Sequence, residues 1–344
     1  MTAFLLLASF RFLSFNIWGD FFGNPPHERD RIEAGIVRKW HPDIAGFQEV
    51  TKNFWKSRLF SDLADEYEVV GRGLGPGEPP IDAFSPLIYR RSRFELVDSG
   101  ADWYCPEIDP SKGAVWAVLR DRASGRNLAV FSSHFWWRYD GKGDDWIRLY
   151  SAQRLRERMF ALSKRHDAAI IGGGDLNAAL ESAAMQYLVT RGLADAQDTA
   201  RVSPRGYPTD HGDPKRDAAG VYRGVPAGEA VGLRPEEMHL DHVFYDPERI
   251  VADRFSIDTT PEACGVSDHH PIVTDFRLVG RNPPRSAAFP ASRTSSSSPA
   301  RSRQVHLPAY GYGLRAYAAK WNCLFAVPTL MRTCSVAIRS AANS

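Results

Sequence analysis

Several short clusters of acidic, amide and histidine residues punctuate residues 10–279 of this 344-residue chain. Asn16 closes the run Leu13-Ser14-Phe15, and Glu49 follows an apolar stretch ending at Gln48. His134 ends residues 129–133, and Asp175 and Asn177 follow three consecutive glycines. Asp241 stands among Leu240, Val243, Phe244 and Tyr245, and Asp268-His269 come just before Pro271. A carboxylate or amide at the end of a strand is held on a stiff element at the rim of a sheet, where a ligand reaches it. Several oxygens converging there suit a hard cation such as Mg²⁺, which keeps waters and takes only one or two protein carboxylates. Asp241, once buried, needs a partner, and a histidine serves. Taken singly, each position also reads as an ordinary turn residue.

The elements that must position these residues follow from hydrophobic period. Strands are expected over residues 10–17, 43–50, 69–70, 85–89, 94–97, 115–119, 128–131, 168–171, 240–245, 250–257 and 271–278. Helices are expected over 27–40, 54–63, 144–166 and 181–191; in the longest, Leu149, Ala152, Leu155, Met159 and Leu162 recur at helical spacing. Residues 200–238 carry many Pro, Gly and charged residues and read as a long loop. Strands outnumber helices and come in antiparallel-looking runs, which points to packed sheets with helices outside, in one domain over residues 1–280. Residues 281–344 change character: Pro283-Pro284 and the Ser295–Ser298 run have the composition of a disordered segment.

Charge divides at the same place. The chain carries 43 Lys/Arg and 41 Asp/Glu, but every acid lies in residues 1–280, leaving that part at −7 and the tail at +9. Such a tail is a candidate tether for nucleic acid or another anionic surface. The 4 cysteines are dispersed and form no C-x-x-C pair, which excludes a disulfide scaffold and fits a reducing, cytoplasmic compartment. No apolar run is long enough to span a bilayer. The short apolar start, Phe4-Leu5-Leu6-Leu7, lacks a basic residue before it; secretion is the expectation only if it acts as a signal.

In order, the segments Ser14-Phe15-Asn16-Ile17-Trp18, Phe47-Gln48-Glu49-Val50, Ser133-His134-Phe135, Gly174-Asp175-Leu176-Asn177-Ala178, Leu240-Asp241-His242-Val243-Phe244 and Ser267-Asp268-His269-His270-Pro271 resemble the endonuclease/exonuclease/phosphatase superfamily. The resemblance covers residues 10–279 and implies an α+β, deoxyribonuclease I-like four-layer sandwich: two packed mixed sheets flanked by helices. It implies a metal-dependent hydrolase acting on phosphate esters, with Mg²⁺, or Mn²⁺ in its place, as cofactor. Glu49, Asn16 and Asp268 are the implied metal-side residues. Asp175 and Asn177 would place water and a phosphate oxygen, His134 would hydrogen-bond the phosphate, and Asp241 would pair with His269.

Departures bear on substrate. Trp18 stands where the abasic-site endonuclease branch usually has an acid, and His239-Leu240-Asp241-His242 replaces the run typical of inositol 5-phosphatases. Phe135-Trp136-Trp137-Arg138-Tyr139 could stack a base or hold an acyl chain, or could pack as a lid. The reading is therefore a Mg²⁺-dependent phosphoesterase attacking by water, with a phosphodiester favoured over a monoester. A nuclease, a non-catalytic binding protein of the same fold, and a zinc hydrolase built on His239, His242, His269 and His270 are the alternatives.

Overall fold

The computed structural model describes residues 9–138, 145–204, 207–216, 222–223 and 239–279. Tyr139, the N-terminal segment 1–8, much of the expected 200–238 loop and the basic tail lie outside the described residues. In chain order the elements are β1 Ser9–Asn16, α1 Asp30–Trp40, β2 Ile44–Gln48, α2 Lys52–Lys56, α3 Arg58–Ser61, β3 Tyr67–Val70 and β4 Leu87–Arg90. Next come β5 Phe94–Trp103, β6 Gly113–Asp121, β7 Asn127–His134, α4 Asp145–His166, β8 Ala168–Asp175 and α5 Ala183–Val189. The remainder is β9 Ala194–Asp195, α6 Ala196–Thr199, β10 Lys215–Arg216, β11 Tyr222–Arg223, β12 Asp241–Tyr245, β13 Ile250–Ile257, α7 Pro261–Val266 and β14 Ile272–Leu278.

Two six-stranded mixed sheets form the body, ordered β13-β14-β1-β2-β4-β3 and β5-β6-β7-β8-β12-β9. One apolar cluster lies between them; α1–α3 and α7 cover the outer face of the first sheet, and α4 and α5 that of the second. This is the expected four-layer sandwich. Each sheet holds one parallel pair, β1 with β2 and β7 with β8. Parallel neighbours need a crossover, supplied by α1 and α4, and it brings both C-terminal ends to the same edge.

Strand parity then decides which side chains share that edge. Phe10 and Phe12 of β1 belong to the inter-sheet cluster, and so do Ile44 of β2, Leu128 and Val130 of β7, Ala169 and Ile171 of β8, and Val243 and Tyr245 of β12. Alternation places Asn16, Gln48, His134, Asp175 and Asp241 on the same inward face. The inter-sheet layer thus turns from apolar to polar toward one rim. Gln48 Nε2 donates to Ser132 Oγ at 3.1 Å, and that hydroxyl donates to Phe47 O at 2.8 Å, joining the sheets below the site.

Several elements differ from the sequence-based expectation. The expected strand at 168–171 continues through Gly172-Gly173-Gly174 to Asp175. A Cβ at Gly173 would collide with the His242 carbonyl, and one at Gly174 would strike Ser133 O and lie 2.8 Å from Gln48 Nε2. The glycines permit close approach of neighbouring strands and are not a turn. The single helix expected over 54–63 is two short ones, broken at Ser57, whose hydroxyl caps the second by accepting from Leu59 N. α6, α7 and the two-residue β9 were not expected. Among the described residues no helix is long and apolar enough to cross a membrane.

Candidate active site

His134, Asp175 and Asp241 lie side by side in register across β7, β8 and β12. Asp175 is the hub. Its Oδ2 accepts from Asn16 Nδ2 at 3.0 Å, reaching across from the first sheet, and lies 3.2 Å from His134 Nε2. Its Oδ1 accepts from Asn177 N at 3.0 Å. Burial works to raise the Asp175 carboxyl, but the charges of His269 and His134 outweigh it and hold it below the usual carboxylate range.

His269 bridges two carboxylates. Its Nδ1 lies 2.7 Å from Asp241 Oδ2 and its Nε2 3.8 Å from Asp175 Oδ2. Burial opposes the charged ring, yet Asp241 and Asp175 prevail and lift its pKa well above the ordinary histidine value. Asp241 N is itself held by Thr209 Oγ1 at 2.9 Å. Of the two adjacent histidines, His269 is therefore the partner of Asp241; His270 Nδ1 lies 3.7 Å from Cys264 Sγ instead.

Glu49 sits just past β2 with φ 63°, and Asn177 just past β8 with φ 49°. Both are in the left-handed region, where side chains other than glycine are strained and which is over-represented at functional sites. Glu49 Oε2 accepts from Gly19 N at 2.8 Å. Ligand atoms of Glu49, His134 and Asp175 lie within 4.8 Å of one another, and so do those of Asp175, Asp241 and His269. Asn177 Nδ2 donates to Phe135 O at 3.1 Å, and Asn16 Oδ1 accepts from Trp18 N at 3.0 Å, keeping a second lone pair.

Asp268 reports the charge balance of the cleft. Burial pushes its carboxyl well above the usual range, and the negative charges of Glu49, Asp210 and Asp213 add to the push against the relief from His269. Asp268 and the acids around it form an oxygen-rich donor set with surplus negative charge. That set fits a hard divalent cation, with Glu49 and Asp268 as the residues that would hold it and Asn16 beside them.

Two site residues escaped the sequence reading. Lys112, buried at the foot of β6, places Nζ 2.8 Å from His134 Nε2 and 3.2 Å from its Nδ1. Asp210, in the segment expected to be a long loop, forms an isolated antiparallel backbone β-bridge with His269. Nothing in Ser111-Lys112-Gly113 marks that lysine out; Thr209-Asp210-His211, an acid beside a histidine, is a faint signal. Of the aromatic run, Phe135 belongs to the core, edge-on to Tyr104 at 5.3 Å, whereas Trp136 and Trp137 are half-buried. Trp18 is buried over the Arg29 guanidinium at 5.1 Å, a packing role.

The four-histidine zinc centre does not assemble. His242 Nδ1 contacts Asp195 Oδ2 at 3.1 Å with its Nε2 at Ala178 O, and His239 Nδ1 lies 3.2 Å from Tyr207 O. The His239 and His242 rings meet edge-on at 5.0 Å, but His269 lies on Asp241 and His270 beside Cys264, so the four do not converge on one point.

No curated protein matches the sequence. Among solved structures, an endonuclease/exonuclease/phosphatase from Bacteroides vulgatus is similar with TM-score 0.62 and 22% identity, covering 79% of this chain and 100% of that one. A mannosyl-6-phosphatase from Bacteroides thetaiotaomicron gives TM-score 0.59 and 20% identity over 78% and 99%. The human Nocturnin catalytic domain gives 0.59 and 18% over 79% and 95%. The model of the endonuclease/exonuclease/phosphatase family matches residues 13–269, which include Asn16, Glu49, His134, Asp175, Asn177, Asp241, Asp268 and His269, and the chain belongs to that family of generally divalent-metal-dependent hydrolases acting on phosphate ester bonds.

Proposed function

We propose that this protein is a Mg²⁺-dependent phosphoesterase that hydrolyses a phosphodiester, or a phosphomonoester, by direct attack of water. The observation that carries the reading is the row His134–Asp175–Asp241, with His269 held between the two carboxylates at 2.7 and 3.8 Å. His269, kept cationic by Asp241 and Asp175, faces the charge that develops on phosphoryl oxygens. His134 and Lys112 add donors on the other side of Asp175. Asp175, ionised and anchored by Asn16 and Asn177, accepts a hydrogen from the attacking water and orients it. Glu49 and Asp268 would hold the metal ion, which supplies Lewis-acid neutralisation of the phosphate when bound. The role of Asn177 is to keep Asp175 aligned and to present its amide to a phosphate oxygen.

The eight residues implied by the family pattern are all present, which supports catalysis over mere binding. The acidic balance of residues 1–280 counts only weakly against a nuclease role, which stays the alternative that the substrate panel decides. The test is turnover by the purified full chain of a chromogenic phosphodiester, phosphomonoesters including sugar phosphates, DNA, RNA and phospholipids, with Mg²⁺, with Mn²⁺ and with chelator. Metal-dependent release from a diester or monoester is the expected result. Absence of turnover on every substrate under both metals would establish the non-catalytic alternative.

A further inference from the structure

Behind the cleft lies a second cluster that the phosphoesterase chemistry does not use. His211 and His270 are each 1% exposed and Cys264, a free thiol on α7, is 7% exposed. The two rings stack at 4.3 Å between centroids with a tilt of 36°. Among the described residues no well-formed hydrogen bond reaches either ring nitrogen of His211 or His270 Nε2, although the His211 ring lies near its own carbonyl and the His270 ring near that of Asp258. Buried polar atoms without partners cost about 1–3 kcal/mol each, and in a folded protein such atoms call for an explanation such as an ion.

A single ion would take one nitrogen of His211 together with His270 Nδ1, and the ligand spacing fits one. A tetrahedral ion with N at about 2.0–2.1 Å and S at about 2.3 Å separates its nitrogen and sulfur ligands by about 3.6 Å. Cys264 Sγ lies 3.7 Å from His270 Nδ1, and one ligand atom from each of the three residues falls within 4.8 Å of the others. We propose that His211, Cys264 and His270 bind one Zn²⁺ ion at a site separate from the oxygen-lined cleft. A thiolate and two imidazoles select a borderline-soft transition ion and reject Mg²⁺. Three protein donors leave one tetrahedral position for water or another donor. On binding, the Cys264 S–H bond breaks, a Zn–S bond forms, and the proton passes to buffer.

The site's purpose follows from what it joins. His211 N donates to Asp268 O at 2.9 Å and His270 N to Thr209 O at 2.7 Å, with Asp210 bridged to His269 between them. An ion tying His211 and His270 to Cys264 of α7 clamps this pairing from behind. Asp210, Asp268 and His269 are thereby held at the cleft by a structural metal that touches none of them.

The experiment uses the full chain carrying Cys323→Ser and Cys334→Ser, so that the tail thiols bind nothing. Co²⁺ is titrated in excess Mg²⁺, which occupies the oxygen-lined cleft. One equivalent should produce an intense thiolate-to-cobalt band in the near ultraviolet with tetrahedral visible absorption. Co²⁺ binding should release the one Cys264 proton, and Zn²⁺ should then displace the cobalt one for one with no further proton release. Cys264→Ser should abolish the band while Cys105→Ser leaves it intact. No thiolate band in the folded parent, or a band that survives Cys264→Ser, overturns the proposal. If Cys264→Ser does not fold, X-ray absorption of the zinc-loaded parent decides: one sulfur and two imidazoles support the site, and a shell of oxygen and nitrogen alone refutes it.

Discussion

Replacing Asp241 by Asn keeps the shape of the side chain and removes the charge facing His269 at 2.7 Å. Both groups are buried, at 1% and 6% exposure, so water screens the interaction little. A hydrogen bond to a charged group contributes about 1.5–3 kcal/mol, and each 1.36 kcal/mol is tenfold in rate. The variant should therefore lose about 10- to 150-fold in kcat/KM. Asp175, at 3.8 Å, still supports the imidazolium, which places the loss below that of removing the ring. The pH dependence has a definite sign. Asp241 and Asp175 raise the His269 pKa well above its ordinary value, so removing Asp241 must move the alkaline limb of the activity profile to lower pH. Stability follows the same linkage. The raised pKa contributes in full below the unfolded histidine value of about 6.5 and is lost as pH rises through the folded value. The stability deficit of Asp241→Asn should accordingly be largest in acid and neutral solution and should narrow toward alkaline pH. The assay is kcat/KM on a chromogenic phosphodiester across pH, with thermal unfolding alongside. Groups that act as one unit are strongly non-additive. Losses from Asp241→Asn and His269→Ala that simply multiply in the double variant, or an alkaline limb that stays in place, would refute the pairing.

Glu49→Gln should keep the fold and raise the Mg²⁺ concentration for half-maximal activity at least about tenfold, since a neutral amide is a poorer ligand for a hard cation; an unchanged Mg²⁺ titration removes Glu49 from the metal site. Trp137→Ala should alter relative turnover among phosphate esters with different leaving groups. Because Trp137 is only half-buried, its unfolding free energy should drop by well under the ~3–5 kcal/mol of a full core truncation; a loss of that full size makes the ring structural. Deletion of residues 281–344 should leave turnover of a small soluble ester intact while weakening low-salt binding to polyanions, because nine cationic side chains leave with it. Loss of small-substrate turnover would make the tail part of the catalytic unit.

The fold was legible in the sequence where the signal is local. Alternation in Phe10, Phe12, Ser14 and Asn16 carries both the strand and the face on which its polar end emerges, because a two-residue period is a property of the extended backbone itself. The ordered segments around Asn16, Glu49, His134, Asp175, Asp241 and His269 carried the family. The same locality explains the failures. The strand expected over 168–171 stops short of Gly172-Gly173-Gly174 because nothing local shows that β7 and β12 close against it, where glycine is what permits the approach. Lys112 meets His134 only through the pairing of β6 with β7, which brings Gly113 opposite His134. The entry of Asp210 awaits the docking of residues 209–211 along 268–270. Parity along one strand costs the chain nothing to encode locally. The partners of a buried charge are instead set by whichever distant segment the closed core forces against it, and only the tertiary structure decides that.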